Sequence, residues 1–187
     1  MPPGDGGFPL SDHHASLLAP DYLDGLGSRS MDDLRTMRAD CVAAETGLSY
    51  LRRMVQGPLD IVSHELSRRA EGNGSAGLAD LVADLPDALG EQPRPGGVGR
   101  LPQTLEPTDV DPVLQARLDA LVGNGRLGQV PDLSDDDLVA LAAELRTFEA
   151  VVSERRKAFF GAVDALQAEL ARRYRDGEAS VESLLNG

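Results

Sequence analysis

Two rows of polar side chains have the types and spacing to do chemistry in this chain. The first is Glu45, Ser49, Arg52, Gln56 and Asp60, within ETGLSYLRRMVQGPLD, at steps of four, three, four and four. On a helix that turns roughly 100° per residue the five fall within about 80° of one another, a stripe about four turns long. The second row is Glu149, Ser153, Arg156 and Asp164, with the same spacing and Phe160 where a glutamine would stand; every member is offset by 104 residues. Arginine offers a planar fork that matches the O6 and N7 acceptors of guanine, and a carboxylate matches its N1–H and N2–H donors. Each good bidentate contact is worth about 1–3 kcal/mol. Arginine with an acid, twice over, is therefore a guanine-reading set, and a guanine dinucleotide with twofold symmetry would satisfy both halves. Arg53 and Lys157, matched neighbours on the stripe edges, are placed to meet phosphates.

Either row alone is also what an ordinary solvated helix face presents, worth about 0.2–0.5 kcal/mol per pair. Repetition in phase is what sets these two apart, and the elements that must position them repeat as well. Ser30 opens the first long helix, with Asp32 and Asp33 at its positive end, and Ser134 opens the second in LSDDDL. The first apolar seam runs through Leu34, Met37, Cys41, Ala44, Leu48, Leu51, Val55, Leu59, Val62 and Leu66, a heptad pattern with one stutter. The second, from Leu138 through Leu145, Phe148, Val152, Arg155 and Phe159 to Leu170, is the first shifted by 104. Across 30–70 against 134–174, fourteen of forty-one pairs are identical, including the cap serines, Gly57, Glu65, Arg68 and Arg69 with their counterparts. Agreement at Ser, Gly and the caps points to an internal duplication. Pro58 costs about 3 kcal/mol inside a helix. Because the apolar phase continues across it, a kink is expected there rather than an end.

The fold expected is all-α: an antiparallel two-helix coiled-coil hairpin, each helix about 60 Å long, with a short N-terminal helix and a long, partly disordered linker. The segments are 1–29, 30–71, 72–133, 134–176 and a tail at 177–187. Matching seams packed antiparallel are related by a dyad that keeps both stripes on one broad face, with Arg52 and Arg156 near the axis. The tether favours pairing within the chain. The alternative is seam pairing between chains, which would make a structural coiled-coil adaptor without a small ligand.

Elsewhere the sequence offers less. Residues 1–15 read as disordered, and the patch Leu17–Leu26 as one or two turns of helix. His13 and His14 are adjacent and so diverge, with no further ligand to support a metal. Leu78–Leu89 and Asp111–Val122 are candidate short helices, and PGGVGR lacks the strand and Lys-Ser/Thr of a phosphate loop. His64 does not follow a glutamate at the spacing a di-metal bundle requires. Nothing pairs a nucleophile with a base, so no catalysis is expected. A net charge of −13 opposes direct nucleic-acid binding and suits a basic partner protein. The single cysteine, Cys41, lies in the seam and reads as a buried hydrophobe. No run approaches the ~20 apolar residues of a membrane span, and no leader pattern is visible, so a cytoplasmic location is expected.

The paired E-x3-S-x2-R-x3-Q-x3-D pattern resembles that of the RsiG family of anti-sigma factors. The resemblance covers both long helices. It implies a helical hairpin that binds cyclic di-GMP and, when loaded, sequesters a sporulation sigma factor of the WhiG type. Carried over by position, the ligand-binding residues would be Glu45, Ser49, Arg52, Gln56 and Asp60, then Glu149, Ser153, Arg156 and Asp164. Phe160 departs from the pattern. Two alternatives stay open there: stacking on a base, or looser binding by the second copy.

Overall fold

The computed structural model describes residues 8–71, 107, 109–123 and 125–177. Two long helices carry the architecture: α2 (Met31–Ala70) and α4 (Asp135–Arg175), with the short helices α1 (Asp12–Leu17) and α3 (Pro112–Val122) beside them. No strand occurs among the described residues. Both long helices start as their caps dictate. Ser30 Oγ accepts from the Asp33 amide at 3.0 Å while the Ser30 amide donates to Asp33 Oδ2 at 3.2 Å, a reciprocal box. Ser134 Oγ accepts from the Asp137 amide at 3.1 Å. Helix α2 continues through Pro58 to Ala70, so Asp60 keeps its place in the stripe.

The seams face each other within the one chain. Leu34, Cys41, Leu48, Leu51 and Val55 of α2 are buried against Leu138, Leu145, Phe148, Val152 and Phe159 of α4. At about 1.5–3 kcal/mol per buried large side chain, this seam dominates the fold. Cys41 sits in it fully buried, and burial pushes its thiol pKa up, the signature of an inert packing residue. The stutter expected after Val55 does not occur. Leu59 and Leu66 are only half-buried and Glu65 is wholly buried, because Leu51, Val55, Val62 and Glu65 keep the plain heptad spacing, with Pro58 half-buried in the place between. Arg155 likewise is half-buried.

The N-terminal segment corrects the expectation of disorder for residues 8–15, while residues 1–7 lie outside the described residues. Residues 8–17 are ordered, and the helix there is Asp12–Leu17, not a turn within Leu17–Leu26; of that patch only Leu26–Ser28 forms a 3-10 turn. The segment joins α3 to make a strap along one flank of the hairpin. Phe8 packs edge-on against Phe148, with ring centres 5.8 Å apart, and Leu114, Leu118 and Leu121 of α3 are buried in the common core. The candidate helix at 111–122 forms, capped by Asp111, whereas Leu78–Leu89 and PGGVGR lie outside the described residues.

The strap is tied down by a polar cluster. Asp111 is fully buried and accepts from the Val113 and Leu114 amides at 3.0 Å and from the Ser11 amide and hydroxyl at 2.8 and 2.9 Å. His14, also buried, places Nδ1 3.2 Å from Asp111 Oδ2 and Nε2 3.4 Å from Asp109 Oδ2. Its bond to Asp111 raises the imidazole pKa, partly offset by burial, and the charge of Asp109 raises it further. Burial raises the Asp111 pKa, but the hydrogen bonds from His14, Leu114 and Ser11 outweigh it, so the net shift is downward. The backbone at Asp109 crosses α2 so closely that a Cβ on Gly47 would stand 1.9 Å from the Asp109 carbonyl oxygen.

Candidate ligand-binding face

Helical phase places the strap and the two polar rows on opposite flanks. Gly47, under the strap, and Glu144, bonded to Arg117 of α3, lie roughly 80° to one side of their seams, while the stripes centre about 100° to the other. The stripe flank is thus the one the strap leaves uncovered.

On that flank the two rows meet across the hairpin. Arg52 Nε donates to Glu149 Oε1 at 2.8 Å and to Ser153 Oγ at 3.0 Å, and Ser153 Oγ donates to the same carboxylate oxygen at 2.9 Å. In the other half Ser49 Oγ donates to Glu45 Oε1 at 2.7 Å, and Arg156 Nη1 lies 3.5 Å from that oxygen. The offset of 104 turns Arg52–Glu149 into Arg156–Glu45, so the duplication is expressed as a pair of reciprocal cross-helix contacts. One detail differs from expectation. Ser49 and Ser153, rather than the arginines, lie nearest the dyad. Arg52 sits level with Glu149, seven residues before Arg156, which separates the guanidiniums by about 10 Å along the axis.

Fixing Arg52 through Nε leaves its two Nη nitrogens without an acceptor among the described residues, and the side chain is 36% exposed. A planar fork held from behind and open in front is ready to meet paired acceptors such as O6 and N7 of guanine, or phosphate oxygens. The Arg156 guanidinium lies over the Phe160 ring at 5.2 Å, and its Nε is buried without a partner. Gln56 is half-buried on the same flank, and Arg53, Asp60, Lys157 and Asp164 are exposed there, making no hydrogen bond or ion pair among the described residues. The structure therefore brings Glu45, Ser49, Arg52, Glu149, Ser153 and Arg156 into contact and leaves the outer acids and edge cations to solvent. No group of His, Cys, Asp and Glu able to hold a metal occurs among the described residues, and no described helix is long and apolar enough to cross a membrane.

The duplication reaches a second set of residues that the motif does not mark. Glu65 binds Arg68 and Arg69, with contacts of 2.6–2.8 Å. Arg69 in turn donates to the carbonyls of Leu133 and Pro131 at 2.8 and 2.9 Å and to Asp135 at 2.6 Å, just before and inside the start of α4. At the opposite end Glu169 binds Arg172 and Arg173, and Arg173 Nη2 donates to the Leu26 carbonyl at 2.8 Å, just before α2. Burial raises the Glu65 pKa, and the bonds from Arg68 and Arg69 reverse that to a net lowering; Arg172 and Arg173 hold Glu169 down to about 2. The repeated Glu-x2-Arg-Arg was the available sequence signal.

The described residues thus form a helical hairpin whose two long helices present the same charged row on one flank. The family model described as RsiG-like matches residues 20–89 and 124–186, well over half the chain, and the chain belongs to that family. Membership gives it a role of the anti-sigma-factor type, in a family that is not one of enzymes, with a sigma factor as the implied partner. No curated protein matches the chain.

Proposed function

We propose that this protein is an anti-sigma factor that binds cyclic di-GMP on its duplicated face and, in the loaded state, sequesters a sporulation sigma factor of the WhiG type. The observation that carries the reading is the reciprocal pair Arg52–Glu149 and Arg156–Glu45, by which the two copies of the motif meet on the flank that the strap does not cover. The ligand's guanines suit the Arg and Asp groups, and its phosphates suit Arg53 and Lys157. A ligand that spans both helices stiffens the surface the sigma factor meets. It promotes capture only to the extent that the capture-competent state binds it more tightly.

Titration calorimetry of the full chain with cyclic di-GMP tests the first half of the reading. Saturable heat is expected, with affinity lost by about tenfold or more in Arg52→Lys, which keeps charge but not the fork, and further in Arg52→Ala with Asp60→Ala. A pull-down of a WhiG-type sigma factor with and without the nucleotide tests the second. Capture that is indifferent to nucleotide contradicts the ligand-gated mechanism.

A further inference from the structure

The two halves of the face are not equivalent, and the difference gathers around Arg156. Ser153 bridges Arg52 and Glu149, whereas Ser49 is bonded to Glu45 alone. Arg156 accordingly stands 3.5 Å from Glu45, with its Nε unpartnered and its guanidinium turned onto the ring of Phe160. The neighbours diverge in the same sense. Under the offset of 104, Gln56 becomes Phe160, and Val42 corresponds to Arg146, which bonds Ser63 in the first half. Phe160 is 43% exposed and Val42 38%. Val42, three residues before Glu45 and seven before Ser49, shares their flank. In the antiparallel register set by Glu45 and Arg156 it lies level with Phe160. An aromatic ring and a valine are thus held open to water where the Arg52 half of the face carries an amide and a guanidinium.

We infer that the Arg156 half is a stacking subsite for a purine base. The base lies on the open part of the Phe160 ring with Val42 beside it, and Asp164, one turn further along, meets the N1–H and N2–H edge. Arg156 engages the ring by a cation–π contact and keeps it from turning into the core. The Arg52 half then reads its base by hydrogen bonds and the Arg156 half holds its base by aromatic contact, which is worth about 1–3 kcal/mol per base. This inference rests on the ligand proposed above.

The test is fluorine NMR on the full chain carrying fluorophenylalanine, with calorimetry in parallel. Phe8, Phe148 and Phe159 are buried, and Phe160→Tyr identifies the fourth resonance by its loss. Cyclic di-GMP is expected to move the Phe160 signal, Phe160→Ala to weaken binding about tenfold, and Phe160→Tyr to stay within about twofold of the natural chain. Because Phe160 is exposed, neither variant endangers folding. Undiminished heat with a stationary Phe160 signal and an unchanged Kd in Phe160→Ala overturns the stacking subsite and leaves the ligand in place. No heat from the natural chain overturns both.

Discussion

Gly47→Ala should destabilise this protein although alanine is the better helix former. In the middle of α2 the substitution favours the helix by about 1 kcal/mol. Its Cβ, however, would stand 1.9 Å from the Asp109 carbonyl oxygen, 2.8 Å from the Asp109 carbonyl carbon and 3.1 Å from Val110 Cα. These are backbone atoms fixed by the neighbouring Asp111 and His14 bonds, so relief requires lifting the strap. Overpacking of this kind costs about 3 kcal/mol at the upper end of its range, leaving a net loss of about 2 kcal/mol. For a chain of this size that is a fall in Tm of about 4–8 °C. Gly161 in α4 is the control: a Cβ there meets nothing within 4 Å, so Gly161→Ala should raise Tm by about 2–4 °C. Thermal unfolding followed by circular dichroism reads both. If the two alanines stabilise equally, the strap does not cross α2 at Gly47.

The His14 cluster predicts a pH dependence. The His14 pKa is raised above its ordinary 6.5, so its contribution is complete below 6.5 and fades as pH rises through the folded value; the Asp111 pKa is lowered, so its contribution is present above about 3.8 and fades only as pH falls through a lower value. The strap is therefore tightest between about pH 4 and 6.5, and Tm should decline more between pH 6 and 9 in the natural chain than in His14→Asn, parallel curves being the contrary result. Glu65→Gln removes a buried anion from between Arg68 and Arg69 and should cost about 3 kcal/mol in urea unfolding. Its image, Glu169→Gln, at a more open site, should cost less. Equal losses would contradict the difference in burial.

The hairpin was legible because its signals are periodic. The seam, the cap serines and the constant offset all recur, and each reports on contacts that a helix makes regardless of what surrounds it. The strap was not legible. Its contacts join Ser11 and His14 to Asp109 and Asp111 across about a hundred residues, in Gly- and Pro-rich surroundings with no period. Gly47 gave no warning, since its counterpart is Val151 and nothing local marks a glycine over which a chain passes. Glu65, Arg68 and Arg69 were visible as repeated identities, but their chemistry depends on carbonyls supplied from a distant turn. In the polar rows, residue types and flank were readable. Which serine would bridge and which would not depended on side-chain geometry.

An apolar seam that repeats every heptad does not by itself fix which turn of one long helix lies beside which turn of the other. Alignment is instead set at the extremities, where Arg69 grips the turn before α4 and Arg173 the turn before α2. A slide of one heptad would shift the helices of the hairpin by about 10 Å and undo both grips together, while apolar packing alone would tolerate it. Two distant bolts therefore hold a ruler at fixed length, and whatever molecule spans the midpoint meets groups whose separation does not drift.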